Sequence, residues 1–254
     1  MIARSIVIRE VGVQFSLVSL NQTRRNKKMK RIQTINKRTI AQKSADYIVS
    51  VAVRPYGERD LDQLIQVYKS AFAESPWNEY MKCVSCGVEY GRRELDTRKE
   101  DCKKCNQPLN LVEFWSDAEI VGDLEFALVQ PDSVVLVAEN SDGIAGMTWG
   151  YKISFEKFPF LLGKISTESS YMDEIAVRGD NRLKGVGMLL GRAYIKAVRQ
   201  QGLSEIVLRT DERNISSMSL FGKLGFSGIA DSESSRGKVY DSQFPNRIYL
   251  RRRV

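Results

Sequence analysis

The sequence predicts an α/β (α+β) domain: a mixed central sheet with helices on both faces and a small cysteine-bearing insertion. Three observations carry this. Stretches of period-2 and of 3.6-residue hydrophobic periodicity follow one another as strand, two helices, three strands, helix, strand, helix, two strands; that order buries its apolar faces when helices cover both sides of one sheet. Four cysteines lie in two close pairs between the first two helices. At 254 residues, 43% of them hydrophobic, the chain is long enough for one large core with attachments.

Residues 47–54 (YIVSVAVR) alternate as a strand that Pro55 and Gly57 end. Asp60 stands where it would cap a helix with apolar positions Leu61, Leu64, Ile65, Val67, Tyr68, Ala71 and Phe72. Residues 74–80 (ESPWNEY) break that helix and lead into the cysteine segment, 83–105. A second amphipathic helix covers about 116–128, capped by Ser116 or Asp117. Val134 to Ala138 and Ile144 to Ile153 form a hairpin through Asn140, Ser141, Asp142 and Gly143. A loop rich in Phe, Lys and Ser follows at 154–170, then a strand at 171–177 (YMDEIAV). A glycine-bearing turn opens a helix at 186–201, which Gly202 closes. A strand at 205–210, a short helix at 214–224 ended by Gly225, and strands at 226–231 and 247–253 complete the chain.

The net charge of +8 is unevenly placed. Residues 1–46 hold eleven Lys and Arg against Glu10 and Asp46, a local +9 that leaves the remainder at −1. A near-neutral body with a basic extension is the expectation, and contact with nucleic acid or an acidic surface would fall to that extension alone. Residues 11–45 contain no acid and also resemble an organelle transit peptide, although Met29 would serve equally as a translation start. Arg9 and Glu10 interrupt any signal-peptide core, and no run of about 18 apolar residues exists to span a membrane. Without a secretory signal the cytosol is the default compartment, and nothing in the sequence fixes an oligomeric state.

Histidine is absent. That excludes Ser-His-Asp and Cys-His nucleophile systems and any imidazole-ligated metal, so base work falls to carboxylate, Lys, Tyr, Cys or water. The cysteines are Cys83-Val84-Ser85-Cys86 and Cys102-Lys103-Lys104-Cys105, two C-x2-C knuckles separated by residues 87–101. This is zinc-ribbon spacing, and four thiolates fill a tetrahedron with no position left for water, so the expected zinc is structural. A disulfide or redox pair is the alternative for the same cysteines. We place the insertion at 81–108. Its basic residues Arg92, Arg93, Arg98, Lys99, Lys103 and Lys104 are offset by Glu89, Glu94, Asp96, Glu100 and Asp101, so nothing demands that it bind nucleic acid.

The run Arg182-Leu183-Lys184-Gly185-Val186-Gly187 lies between a strand and a helix. Glycine lets backbone approach a ligand closely, and the free N–H groups of a helix's first turn suit an anion such as a pyrophosphate, with Arg182 and Lys184 adding charge at the rim. Downstream stand Asn214, Ser217, Leu220, Phe221, Lys223, Leu224, Gly225 and Phe226. Here the sequence resembles the GNAT superfamily of acyl-coenzyme A N-acyltransferases. Its [Q/R]-x-x-G-x-[G/A] motif is matched by Arg182, Gly185 and Gly187, and its N…L-Y-x-K-x-G-F motif by Asn214 through Phe226.

The resemblance covers about 50–254 apart from the insertion, within a domain set at 47–254, and implies a GNAT-like sheet, acetyl-coenzyme A as cosubstrate and an amine as acceptor. It implies that the backbone of Ile175 and Val177 pairs with the pantetheine arm and that the amides of Lys184, Gly185, Val186, Gly187 and Met188 hold the pyrophosphate. Asn214 would bond the pantetheine or the region beside the thioester, and Phe221 would line the sulfur. Asp173 and Glu174 are the candidate bases, set by strict alternation on opposite faces. Cleft-facing polar residues of the family fall at Tyr171 and Asp173, which favours Asp173, with Glu174 second. A backbone N–H near Ile175 would meet the oxyanion. Phe221 departs from the family, which often has Tyr there to protonate the departing thiolate. That departure and the basic extension leave a second reading open: a nucleic-acid- or protein-binding module on a degenerate acetyltransferase scaffold.

Overall fold

The computed structural model describes residues 50–95, 100–182 and 184–254. The basic extension at 1–46, the first residues of the expected opening strand, four residues of the insertion and Leu183 lie outside the described residues.

Seven strands make one sheet in the order β1-β5-β6-β7-β8-β10-β9. They are β1 (Ala52–Pro55), β5 (Val134–Asn140), β6 (Gly143–Lys152), β7 (Ser169–Val177), β8 (Glu205–Asp211), β9 (Ser227–Gly228) and β10 (Arg247–Arg253). All neighbours are antiparallel except β7 and β8, which the helix between them makes parallel. The mixed sheet is as expected.

Helices cover both faces. On one, α1 (Leu61–Phe72) and α3 (Asp117–Val129) bury Leu64, Val67, Tyr68, Ile120 and Leu124 against Val137, Met147, Trp149 and Tyr151. On the other, α4 (Val186–Gln200) and α5 (Ile215–Lys223) bury Tyr194, Val198, Phe221 and Leu224 against Met172, Ile206, Leu208 and Leu250. Side chains of this size contribute roughly 1.5–3 kcal/mol each when fully buried, so the two cores clamp the sheet between them.

Ser116 caps α3 through a capping box: its Oγ accepts from the Glu119 N–H, and the Glu119 carboxylate reaches back to the Ser116 N–H at 2.8 Å. Asp60 does not cap α1. It ends a 3-10 turn at Glu58–Asp60, and its buried carboxylate accepts from the Gly57 N–H and pairs with Arg54. Gly202 ends α4 as expected, with the Leu203 N–H returning to Val198 O at 3.3 Å. The strand expected at 226–231 shortens to Ser227–Gly228, and the loop at 154–170 contains a 3-10 turn at Pro159–Leu161.

The cysteine segment folds separately from the main sheet. β2 (Met81–Cys83), β3 (Glu89–Tyr90) and β4 (Leu111–Glu113) form a three-stranded antiparallel sheet in the order β3-β2-β4, with one helical turn, α2 (Arg92–Leu95), following β3. It reaches past residue 108, to Glu113.

Candidate active site

β7 departs from strict alternation. Trp149 pairs with Glu174 and Gly150 with Met172, so β7 carries one extra residue, Asp173, as a β-bulge. The consequence corrects the expectation that Asp173 and Glu174 face opposite ways. Tyr171 belongs to the α1/α3 core and Met172 to the α4/α5 core; beyond the bulge Ile175 packs on the α4/α5 side and Ala176 on the α1/α3 side, one step out of phase. Asp173 and Glu174 therefore share the α1/α3 face. Asp173 accepts from the Tyr151 hydroxyl at 3.0 Å, and the Glu174 charge acts on Tyr68 of α1. Gly150 makes room for this: a Cβ there would lie 2.2 Å from the Tyr171 carbonyl oxygen and 2.0 Å from the Tyr194 hydroxyl.

The bulge also marks where the sheet opens. β7 pairs with β8 only through Ser169–Met172 with Glu205–Leu208. From residue 173 onward the β8-side edge of β7 has no strand partner among the described residues, while β8 continues against β10 to Asp211. Ile175 and Val177 lie on this open edge, both partly buried.

At its end the glycine turn begins. Gly185 has φ +89° as the N-cap of α4, with no side-chain cap, a conformation that glycine alone adopts readily. The ladder of α4 opens with the Leu189 N–H bonded to Gly185 O at 3.1 Å, so the amides of Val186, Gly187 and Met188 precede it. Val186 is buried and offers only its amide, while Met188 packs on the α4/α5 core. Lys184 is partly buried. Arg182 donates from Nη2 to Ala71 O at the end of α1, so part of the guanidinium expected at the rim is engaged in holding the turn to that helix.

Asn214 is the N-cap of α5, its Oδ1 accepting from the Ser217 N–H at 3.1 Å. Phe221 is 4% exposed and meets Phe226 edge-on at 5.7 Å. Tyr171 is 4% exposed, within the α1/α3 core, its ring 4.8 Å from Phe158.

The acids are electrostatically coupled. Burial holds Asp173 above the ordinary carboxylate range against the pull of the Tyr151 hydrogen bond. Burial, and next the charge of Asp173, holds Glu174 well above it. Glu79 and Asp123 add to the rise at Glu174, and Arg209, itself paired with Asp241, opposes it. Burial also raises Glu79, against its hydrogen bond from Trp115, and Asp123, where Glu119 assists. No sequence pattern pointed to Glu79, Asp123, Trp115, Trp149 or Arg209, because the fold brings them together from five separate segments.

A model of the acetyltransferase (GNAT) family matches residues 93–226, more than half of the chain. The chain belongs to the GNAT acetyltransferase family. Solved structures share the fold. PaiA N-acetyltransferase from Thermoplasma acidophilum, in complex with coenzyme A, has a TM-score of 0.51 at 14% identity, over 81% of this chain and 99% of that one. A GCN5-related N-acetyltransferase from Kribbella flavida gives 0.51 at 15%, over 81% and 98%. The Salmonella typhimurium protein yncA, solved with acetyl-CoA, gives 0.51 at 15%, over 80% and 94%. No curated protein matches significantly. The matched residues take in the bulge, the open edge, the glycine turn and the Asn214–Phe226 motif of this acetyltransferase.

The acetyltransferase carries its four cysteines in one cluster. The Sγ atoms of Cys83, Cys86, Cys102 and Cys105 all lie within 4.8 Å of one another, with Cys83 to Cys105 at 3.9 Å and Cys86 to Cys102 at 3.6 Å. Zn–S bonds of about 2.3 Å in a tetrahedron require S···S edges of about 3.8 Å. The Cys105 amide and then the Tyr90 hydroxyl hold the Cys102 thiol down to about 5. Cys105, although the Gln107 amide favours its thiolate, is pushed up to about 11 by burial and by the neighbouring sulfurs. Cys83 and Cys102 are buried, and Tyr90 behind them is fully buried, its hydroxyl accepting from the Lys103 N–H at 2.7 Å. Among the described residues no helix is long and apolar enough to cross a membrane.

Proposed function

We propose that this acetyltransferase moves the acetyl group of acetyl-coenzyme A directly to a primary amine, with Glu174 as general base. The observation that carries this is the bulge at Asp173, which sets two carboxylates on one face beside the open edge of β7. An alkylammonium with a pKa of about 10 must lose a proton before its nitrogen can attack. Each unit by which burial raises a carboxylate toward that value removes about 1.4 kcal/mol from the cost of the transfer. Glu174 is the more strongly raised of the two, whereas Asp173 is engaged by the Tyr151 hydroxyl. We therefore assign the proton to Glu174, and to Asp173 the task of holding Glu174's affinity for it high.

The nitrogen lone pair forms the new C–N bond and the thioester C–S bond breaks, releasing a thiolate; the ammonium proton passes to Glu174. Charge developing on the carbonyl oxygen would be met by a β7 amide near Ile175. The backbone of Ile175 and Val177 would receive the pantetheine, and the amides of Lys184 to Met188 the pyrophosphate. Asn214, whose Oδ1 is used as a cap, would offer its amide N–H groups to the arm. Phe221 supplies no proton, and a thiolate, whose conjugate acid has a pKa of about 8.5, departs without one.

We further propose that Cys83, Cys86, Cys102 and Cys105 hold one structural zinc, because sulfur separations of 3.6 and 3.9 Å straddle the tetrahedral edge. Contact with nucleic acid or other acidic surfaces is assigned to residues 1–46 on charge alone. Amine-dependent release of free thiol from acetyl-coenzyme A tests the central reading. Its absence across a panel of primary amines, with the full chain, would overturn it.

A further inference from the structure

We infer that the preferred acceptor is an amine carrying a second positive charge, and that Glu79, presented by the stems of the cysteine insertion, selects for it. This rests on the acetyl-transfer reading and concerns the acceptor end of the same cleft.

Glu79 belongs to neither the sheet nor a helix. It lies on the stem that leads from α1 into β2, where its N–H bonds Phe72 O at 2.9 Å. Its Oε2 accepts from the indole Nε1 of Trp115 at 2.9 Å, and Trp115 stands on the other stem, between β4 and α3. The Phe114 N–H also bonds Tyr80 O at 3.2 Å. The two chain segments that carry the insertion are thus tied together at their base, and the tie fixes a carboxylate whose charge reaches Glu174. With Asp173 and Asp123 this makes four acids around one region. Of the cations that oppose them, Arg209, which acts on Asp173 and Glu174, is engaged by Asp241, and Arg247, which acts on Glu79, lies over the rings of Trp77 and Phe244.

A monoamine surrenders its charge when Glu174 takes its proton, which leaves the other acids facing a neutral guest. A guest with a second ammonium keeps a charge to meet them. The surroundings suit such a guest: Trp115, partly exposed and bonded to Glu79, rests edge-on against Tyr68 at 5.7 Å, and Tyr68 is backed by Trp149 at 5.9 Å, so an aromatic ring adjoins the carboxylate as it does in ammonium-binding sites. An independent observation points to a ligand here. Trp149 is 0% exposed and its Nε1 has no hydrogen-bond partner, yet it lies close enough to Asp173 to lower that carboxyl's pKa. Buried donors without acceptors are rare; this one lies beside the Asp173 carboxylate, where a guest, or water arriving with it, would supply the missing lone pair.

The test compares a linear diamine with the monoamine of equal length in which a methyl replaces the far amine. With the full chain, kcat/KM should favour the diamine by about tenfold or more, equivalent to about 1.4 kcal/mol. Calorimetry on the coenzyme A-loaded protein should show the same order of affinities without turnover. Glu79→Gln should shrink the diamine-to-monoamine ratio severalfold. Trp115→Phe, which keeps the carboxylate but removes its tether, should shrink it less, and coenzyme A affinity reports that each variant is folded. Equal kcat/KM and equal affinity for the two amines would overturn the inference. So would an unchanged ratio in a folded Glu79→Gln; should that variant not fold, an unchanged ratio in Trp115→Phe decides against it. Diamine binding without acetylation would instead remove the acetyl-transfer reading and leave the charge selection standing.

Discussion

Replacing Glu174 by Gln keeps the shape of the side chain and removes its ability to take a proton. At pH 7 an alkylamine with a pKa of about 10 is neutral in about one molecule in a thousand. An enzyme without its base must wait for that fraction, and positioned bases contribute about 10²–10⁴-fold. Turnover in Glu174→Gln should therefore fall by roughly 10²–10³ at neutral pH. The deficit should shrink about tenfold for each pH unit gained until the amine itself titrates. Coenzyme A affinity should hold, because the turn that would receive the pyrophosphate is built from other residues. Asp173→Asn is the companion: burial and the Asp173 charge raise Glu174, a base works only when deprotonated, and so removing that charge lowers the Glu174 pKa and moves the acid limb of the kcat/KM profile to lower pH. Initial rates across the pH range, with calorimetric affinities, measure both. Full activity in Glu174→Gln with a hundredfold loss in Asp173→Asn would transfer the role to Asp173. Full activity in both would refute a carboxylate base.

Three further outcomes are expected. Metal analysis of the purified protein should find about one zinc per chain; no zinc and cysteines paired as disulfides would contradict the site. Gly185→Val places a branched residue at φ +89°, a strain of about 1–3 kcal/mol, and Gly187→Val sets a Cβ 3.1 Å from Leu220 Cδ2; both should abolish coenzyme A binding with zinc content intact, and wild-type affinity by calorimetry would refute the turn's role. Folded carboxyls with raised pKa values bind protons that the unfolded chain has lost, so stability falls as pH rises above the ordinary carboxylate range; Glu174→Gln should then raise the Tm at neutral pH, by about 2–4 °C for each kcal/mol relieved, and an unchanged or lower Tm would show that Glu174 carries no such burden.

Most elements were legible because their signals are local. The stripe from Leu64 to Phe72, the capping box at Ser116 and Glu119 and the glycines at 185, 202 and 225 need no distant partner to be read, and two C-x2-C knuckles specify a cluster by spacing alone. Asp60 misled for a physical reason: an aspartate before a helix also suits an arginine, and Arg54 on β1 takes it. The strand at 226–231 shortened because only Ser227 and Gly228 keep register with β10, while beyond them Ile229 and Ala230 also bond the segment at Lys238 and Val239.

The acids were the harder case, and the reason lies in the bulge. Period-2 reading assumes that each residue flips the face, so it must separate Asp173 from Glu174; one extra residue opposite the Trp149–Gly150 step cancels the flip for that pair. Its trace in the sequence is Gly150, on another strand, where any side chain would strike Tyr171 O. A glycine inside a strand signals close approach, but it does not say which neighbour approaches or what that neighbour gains. Here the gain is chemical as well as geometric. The distortion that ends the β7–β8 pairing at Met172 also turns a second carboxylate onto the face of the first, so the same irregularity that opens an edge concentrates negative charge beside it, where in the proposed transfer an ammonium would lose its proton. Glu79 extends that concentration from outside the sheet, through a stem that exists only because the cysteine insertion interrupts the chain between α1 and α3.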